Sequence, residues 1–368
     1  MAKATFPHLG PYTRVFADLL TRLGHDVVVP KPPTRQTLSY GTVHGPEFAC
    51  LPLKICLGTY IEALEEGADL IVTTGGVGPC RAGLYATVQR EILRSLGYEF
   101  EMIVLEPLRR HPARLLRAIH RLNAKRLPPW RLASEALLCW QKIQGIDRVQ
   151  RELLRIRPRE VRFGGADRIF RRGVRTIAEA PTRREAAKAV DEVLDAMGAV
   201  PIDSSRDPVR VGIVGEIYVL LEPASNLNIE RILGELGVEV HRSIFLTNWT
   251  EENVVREGDN QTARDAAAPY LDEMIGGHGQ DTVGHTVLYA RQGLDGVIQM
   301  APFTCIPEIV ACSILPAVSK AEDIPVITFF FDEQTGEAGL RTRLEAFVDL
   351  LVRRRERRRS QEAVGAMG

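Results

Sequence analysis

The chain has 368 residues, 45% of them apolar, with 47 Lys and Arg against 47 Asp and Glu. That length exceeds one ordinary domain, and that apolar share excludes a disordered chain. The zero balance gives no global pull toward nucleic acid or an anionic membrane, and no apolar run reaches the ~20 residues that span a bilayer.

The N-terminus lacks the basic and apolar regions of a signal peptide, so the expected location is cytoplasmic. Residues 11–24 carry helical spacing and stop at Gly24, and a short strand follows at 25–30. Residues 31–49, rich in Pro, Thr, Gly and Ser, read as a loop. A helix opens after Cys50 and runs to 64, with Pro52 in its first turn. The strand 69–74 runs into a glycine-rich loop, 75–83, that carries Cys80. A helix at 84–96 and a strand at 100–105 complete this half. Strands alternating with helices imply parallel sheet.

From about 108 to 205 the chain is Arg- and Leu-rich with almost no strand pattern, and helices are expected at 112–125, 131–156 and 182–197. A second α/β pattern begins with the strand 209–215. Helix 226–237, strand 239–245 and helix 262–275 follow. A glycine-rich loop at 276–285 holds His278 and His285 and leads into a helix that ends near Gly293. The buried strand 296–300 then enters the loop of Cys305, a helix runs to 319, a strand spans 325–331, and a helix covers 340–355. The arginine run 353–359 reads as a solvated helix end. The expected class is therefore α/β: two Rossmann-like parallel-sheet domains, 1–107 and 206–368, with a mainly helical segment, 108–205, between them.

Six cysteines occur: Cys50, Cys56, Cys80, Cys139, Cys305 and Cys312. In a reducing cytosol they are thiols or ligands rather than structural disulfides. In open parallel sheets ligands bind beyond the carboxyl ends of the strands. Cys80 and Cys305 occupy such loops, one per half, and Cys50 heads a helix. A helix N-terminus favours a thiolate, the form that binds metal. These three read as metal ligands, and soft thiolates without paired zinc spacing suit an iron–sulfur cluster. For Cys56, Cys139 and Cys312 a ligand role and a plain core role both stand.

Motifs spread over nearly the whole chain extend this reading. They are Cys50-Leu51-Pro52-Leu53-Lys54, Gly76-Val77-Gly78-Pro79-Cys80-Arg81, Gln89-Arg90-Glu91-Ile92-Leu93, Gly215-Glu216-Ile217-Tyr218, Pro302-Phe303-Thr304-Cys305-Ile306-Pro307-Glu308 and residues 332–339. As a set they resemble the 2-hydroxyacyl-CoA dehydratase and benzoyl-CoA reductase superfamily, in its activase-related branch. The resemblance implies a 4Fe–4S cluster held by Cys50, Cys80 and Cys305 between the two α/β domains. It also implies a homodimeric ATP-dependent iron–sulfur activator as electron donor and a homodimeric state for this chain. In the double-cubane proteins of the superfamily, an 8Fe–9S cluster takes six cysteines, which would use Cys56, Cys139 and Cys312 as well.

The function expected is a reductase component that takes low-potential electrons from the activator and reduces a small molecule. The alternatives are a single-cubane 2-hydroxyacyl-CoA dehydratase-like subunit and a non-catalytic electron-transfer or scaffold subunit. Reductions need protons, which makes His278, His285 and Glu308 the acid–base candidates. For His285 the plainer role is a loop-stabilising hydrogen bond; for Glu308 it is a carboxylate at a helix N-terminus. Lys54 and Arg81 flank cysteines and would offset cluster charge. Glu216, Tyr218, Asp332, Glu333 and Glu337 follow strand ends on the same side.

Overall fold

The structure, a computed structural model, describes residues 2–76, 80–108, 111–252 and 261–365. Val77, Gly78 and Pro79 of the glycine-rich loop lie outside the described residues. The protein is α/β with two four-stranded parallel sheets. The first holds β1 (Lys3–Thr5), β2 (Asp26–Val27), β3 (Leu70–Thr74) and β4 (Glu101–Leu105), in the order β2-β1-β3-β4. The second holds β5 (Val209–Gly215), β6 (Val238–Arg242), β7 (Gly296–Pro302) and β8 (Val326–Phe331), in the order β6-β5-β7-β8. The two orders are the same, so each sheet has one point where the chain reverses its direction of travel. That point lies between β1 and β3 in one sheet and between β5 and β7 in the other.

Helix Leu51–Glu65 joins the two sheets. Its sequence is apolar almost all round, and a helix of that kind has to be enclosed. Leu51, Ile55, Leu57, Tyr60 and Ile61 share one core cluster with Val211 and Ile213 of β5, Ile298 of β7 and Phe331 of β8. The helix is capped at its N-terminus by Cys50, so Cys50 lies at the seam of the two halves.

Residues 35–44 correct the sequence reading. The stretch read as a loop contains helix Arg35–His44. Thr34 and Thr37 close a capping box: the Thr34 hydroxyl accepts from the Thr37 N–H at 3.3 Å, and the Thr34 N–H donates to Thr37 Oγ1 at 2.9 Å. Its loop-like composition reflects close packing. A Cβ at Gly41 would stand 1.8 Å from the Lys54 carbonyl oxygen, and one at Gly58 would stand 1.8 Å from that of Thr37. The glycines let the two helices touch backbone to backbone. Other elements also escaped the pattern, among them the three-residue β1, helix Gly165–Glu179 in the middle segment and the short helices Ile217–Leu221 and Leu246–Thr250, and the helix expected at 262–275 ends at Ala267.

The middle segment is helical, with Pro129–Ile156, Gly165–Glu179 and Arg183–Gly198 around their own core. That core is not isolated, since it includes Tyr12 and Val15 from the first half and Leu221 and Leu246 from the second. Fully buried Asp147 ties all three regions. It accepts from the Tyr12 hydroxyl, from the Thr247 N–H at 2.9 Å and from the Thr247 hydroxyl at 2.5 Å. The C-terminal helix continues to Gly365, and its arginine run is largely exposed, as expected, while also making ion pairs with Asp207 and Asp323. Arg355 meets Asp207 at 2.8 Å and Arg358 meets Asp323 at 2.5 Å. Among the described residues no helix is long and apolar enough to cross a membrane.

Asp147→Ala leaves three buried donors without an acceptor, each costing about 1–3 kcal/mol. Urea unfolding should show a loss of about 3 kcal/mol or more; a loss below about 1 kcal/mol would show that Asp147 does not hold the three regions together.

Candidate functional site

The cysteine-bearing loops meet: Arg81, next to Cys80, bonds the carbonyls of Phe48 and Thr304, which stand close before Cys50 and Cys305. Cys80 follows β3, Cys305 follows β7, and Glu216 follows β5. Cys50 and Cys305 are both N-cap residues of helices with proline in the first turn. Cys50 and Cys305 are buried and Cys80 is half-buried. Their proximity is seen in their electrostatics: Cys80 acts on the Cys50 thiol, and Cys50 acts on that of Cys305. Gly277, from the second half, comes within the same cluster, since a Cβ there would stand 3.9 Å from the Cys80 sulfur and 3.1 Å from Pro307. Among the described residues no three His, Cys, Asp or Glu side chains stand close enough to grip one metal ion.

Burial raises the thiol pKa of Cys50 and, more strongly, that of Cys305. For Cys50 two neighbours oppose this rise. The Tyr85 hydroxyl lies 2.5 Å from its sulfur, and the Arg81 guanidinium supplies positive charge. Tyr85 was not among the residues singled out from sequence; its one signal is that it stands five residues after Cys80.

The other three cysteines lie apart from one another. Cys56 is in the central core within reach of Tyr218 and Cys50, and burial pushes its pKa up to about 12. Cys139 belongs to the core of the helical segment, beside Lys142 and Asp18, and is also pushed up to about 12 by burial. Cys312 faces Thr328 at 3.6 Å and lines a cavity of about 360 Å³ with Leu315, Pro316, Ser319, Lys320 and Val326.

The acid–base candidates differ from one another. His278 caps helix Gly279–Arg291, and His285 is inside that helix rather than in the loop expected. The His278 Nε2 accepts from the Trp249 indole at 2.9 Å, which leaves its proton on Nδ1. Burial lowers both histidines to about 4, so at neutral pH neither carries a second ring proton to give. The carboxyls move the other way. Glu308 is fully buried, accepts from Gln299 Nε2 at 2.9 Å and from the Thr282 hydroxyl at 3.1 Å, and is raised to about 7 by burial. Glu216 caps helix Ile217–Leu221, accepts from the Val219 N–H at 3.0 Å, and is also raised to about 7 by burial. It acts electrostatically on Cys50, Cys305 and Glu308. Proton-holding capacity near neutral pH thus lies in Glu216 and Glu308.

The basic residues expected at the site serve different ends. Lys54 is buried and pairs with Glu333 of the second half at 3.2 Å, so its charge is already answered within the protein. Arg81 reaches across to the Phe48 and Thr304 backbones. No protein-family model matches the chain, and no curated protein matches it significantly.

The histidine shifts carry a stability signature. A histidine whose folded pKa lies near 4, below the unfolded value of about 6.5, supports the fold above that unfolded value. That support is lost as pH falls from 6.5 toward 4. Melting temperature should drop across this window, and His285→Gln should drop less; parallel curves for the two proteins would count against a buried neutral His285.

Proposed function

We propose that Cys50, Cys80 and Cys305 hold one 4Fe–4S cluster at the seam of the two halves, and that the protein is a reductase or dehydratase component served by a low-potential electron donor. The observation that supports this most directly is the meeting of three loops, each bearing one cysteine, which Arg81 ties together through the Phe48 and Thr304 carbonyls. The donor set suits the group. In a cubane each thiolate binds a different iron, so three ligands stand apart by the width of a cluster instead of crowding around one ion. Such a cluster, when bound, supplies single electrons and an iron without a protein ligand. The ATP-dependent activator, the homodimeric state and the small-molecule substrate belong to the same reading through the family resemblance.

The residues around the cysteines have separable tasks. The buried seam excludes water from a strongly reducing centre. Glu308 and Glu216, with pKa values raised to about 7, hold protons at the pH where reduction consumes them. Tyr85 supplies a hydroxyl hydrogen bond to the Cys50 sulfur. The positions of Cys139 in the helical core and Cys312 on Thr328 favour one cubane over the six-cysteine form.

Anaerobic reconstitution followed by iron and sulfide analysis tests this reading. About 4 iron per chain is expected, against about 8 for the double form. Cys50→Ser, Cys80→Ser and Cys305→Ser should each lose most of the iron, while Cys139→Ser and Cys312→Ser should keep it. A wild-type protein that takes up no iron would falsify the proposal, and Cys139→Ser or Cys312→Ser at half the iron would restore the double cubane.

A further inference from the structure

One side chain touches all three cysteine-bearing loops. Arg81 directly follows Cys80. Its Nη1 donates to the Phe48 carbonyl at 2.7 Å, two residues before Cys50. Its Nη2 donates to the carbonyl of Thr304, the residue before Cys305. The Thr304 hydroxyl closes the triangle by donating to the same Phe48 carbonyl at 3.1 Å. The guanidinium therefore joins the first half to the second through backbone atoms, one or two residues from every proposed ligand.

Thr304 adds an independent sign of constraint. Its φ is +65°. A β-branched residue pays a steric penalty there and persists only where its surroundings over-determine it. Both polar groups it can offer outward, the carbonyl and the hydroxyl, are engaged in the triangle. The bend at Thr304 sets the direction in which the chain enters Cys305 and the helix Ile306–Ala321.

We propose that Arg81 is a positioning residue that fixes the Cys50, Cys80 and Cys305 loops in mutual register through the fork of its guanidinium, not through its charge. The planar fork reaches two carbonyls in fixed directions at once, which a lysine ammonium on a flexible stem does not reproduce. The claim rests on the proposed site only for what the three thiols hold; the clamp itself can be read without iron.

A short bis-maleimide is the probe. Each thiol adds across one maleimide double bond, with no leaving group and no change of oxidation state, so a bridged pair reports two thiols held about a cluster's width apart. In the full-length apo protein, peptide mapping after limited labelling should find bridges among Cys50, Cys80 and Cys305. Arg81→Lys, which keeps the charge, should give at least about tenfold less bridging relative to single-site labelling, the scale of losing charge-assisted hydrogen bonds. An unfolded chain would lose this bridging too, so Arg81→Lys/Thr304→Gly is measured beside it. Glycine adopts φ near +65° without a clamp, and the double variant should recover part of the loss, which an unfolded chain cannot do. Equal bridging in Arg81→Lys and wild type, or no recovery in the double variant, would overturn the proposal. Failure of the wild type to take up iron while these bridging differences stand would overturn the iron–sulfur reading alone.

Discussion

The enclosure of helix Leu51–Glu65 is the constraint on which the rest of the arrangement depends. Its side chains are apolar almost all round and nearly all buried, so one sheet cannot cover it. Burying a single Leu or Ile contributes about 1.5–3 kcal/mol relative to exposure. Leu51, Ile55, Leu57, Ile61 and Leu64 therefore create a strong drive for a second surface. Helix Arg35–His44 packs on one side of it, and the side chains of helix Leu51–Glu65 share one core cluster with residues of β5, β7 and β8, so the two α/β halves have a common core. The helix runs back against the strands it accompanies, which sets its N-terminus, Cys50, on the side of their carboxyl ends.

From that geometry the electrostatics follow. A seam closed on both sides desolvates what it contains, and burial is the leading cause of the shifts at Cys50, Cys305, Glu216, Glu308, His278 and His285. One cause moves acids up and bases down, so the carboxyls and thiols tend toward their protonated forms and the imidazoles stay neutral. Charge enters the seam at few points. Lys54 is held by Glu333, and Arg81 is committed to two backbone carbonyls. The seam thus disfavours isolated charge while bringing together groups that can lose protons to a metal.

Sequence patterning carried the class and most of the elements. The strands at β3, β4, β5, β7 and β8 are short apolar runs bounded by Gly, Pro or Asp, and they were legible for that reason. Helix Arg35–His44 was not, because its Gly41 serves a backbone contact with a helix ten residues on, and the same glycine reads locally as a breaker. Helix Gly165–Glu179 was obscured by its arginines. At the site, Cys50, Cys80 and Cys305 stood out because each lies in a loop or cap rather than inside an element. Tyr85 and Trp249 did not, since nothing local marks an aromatic residue that contacts a cysteine or histidine distant in sequence.

What the sequence determined by itself was periodicity and punctuation: which stretches are strand or helix, and that three cysteines sit where loops end and helices begin. These are properties of neighbouring residues, governed by steric preference and by the pattern of apolar side chains. What only the tertiary structure decided was distance and environment. It separated Cys139 and Cys312 from the seam, moved His285 into a helix, paired Lys54 with Glu333, and raised Glu216 to the same standing as Glu308. Those outcomes depend on which remote surfaces exclude water from one another, and no local pattern encodes that.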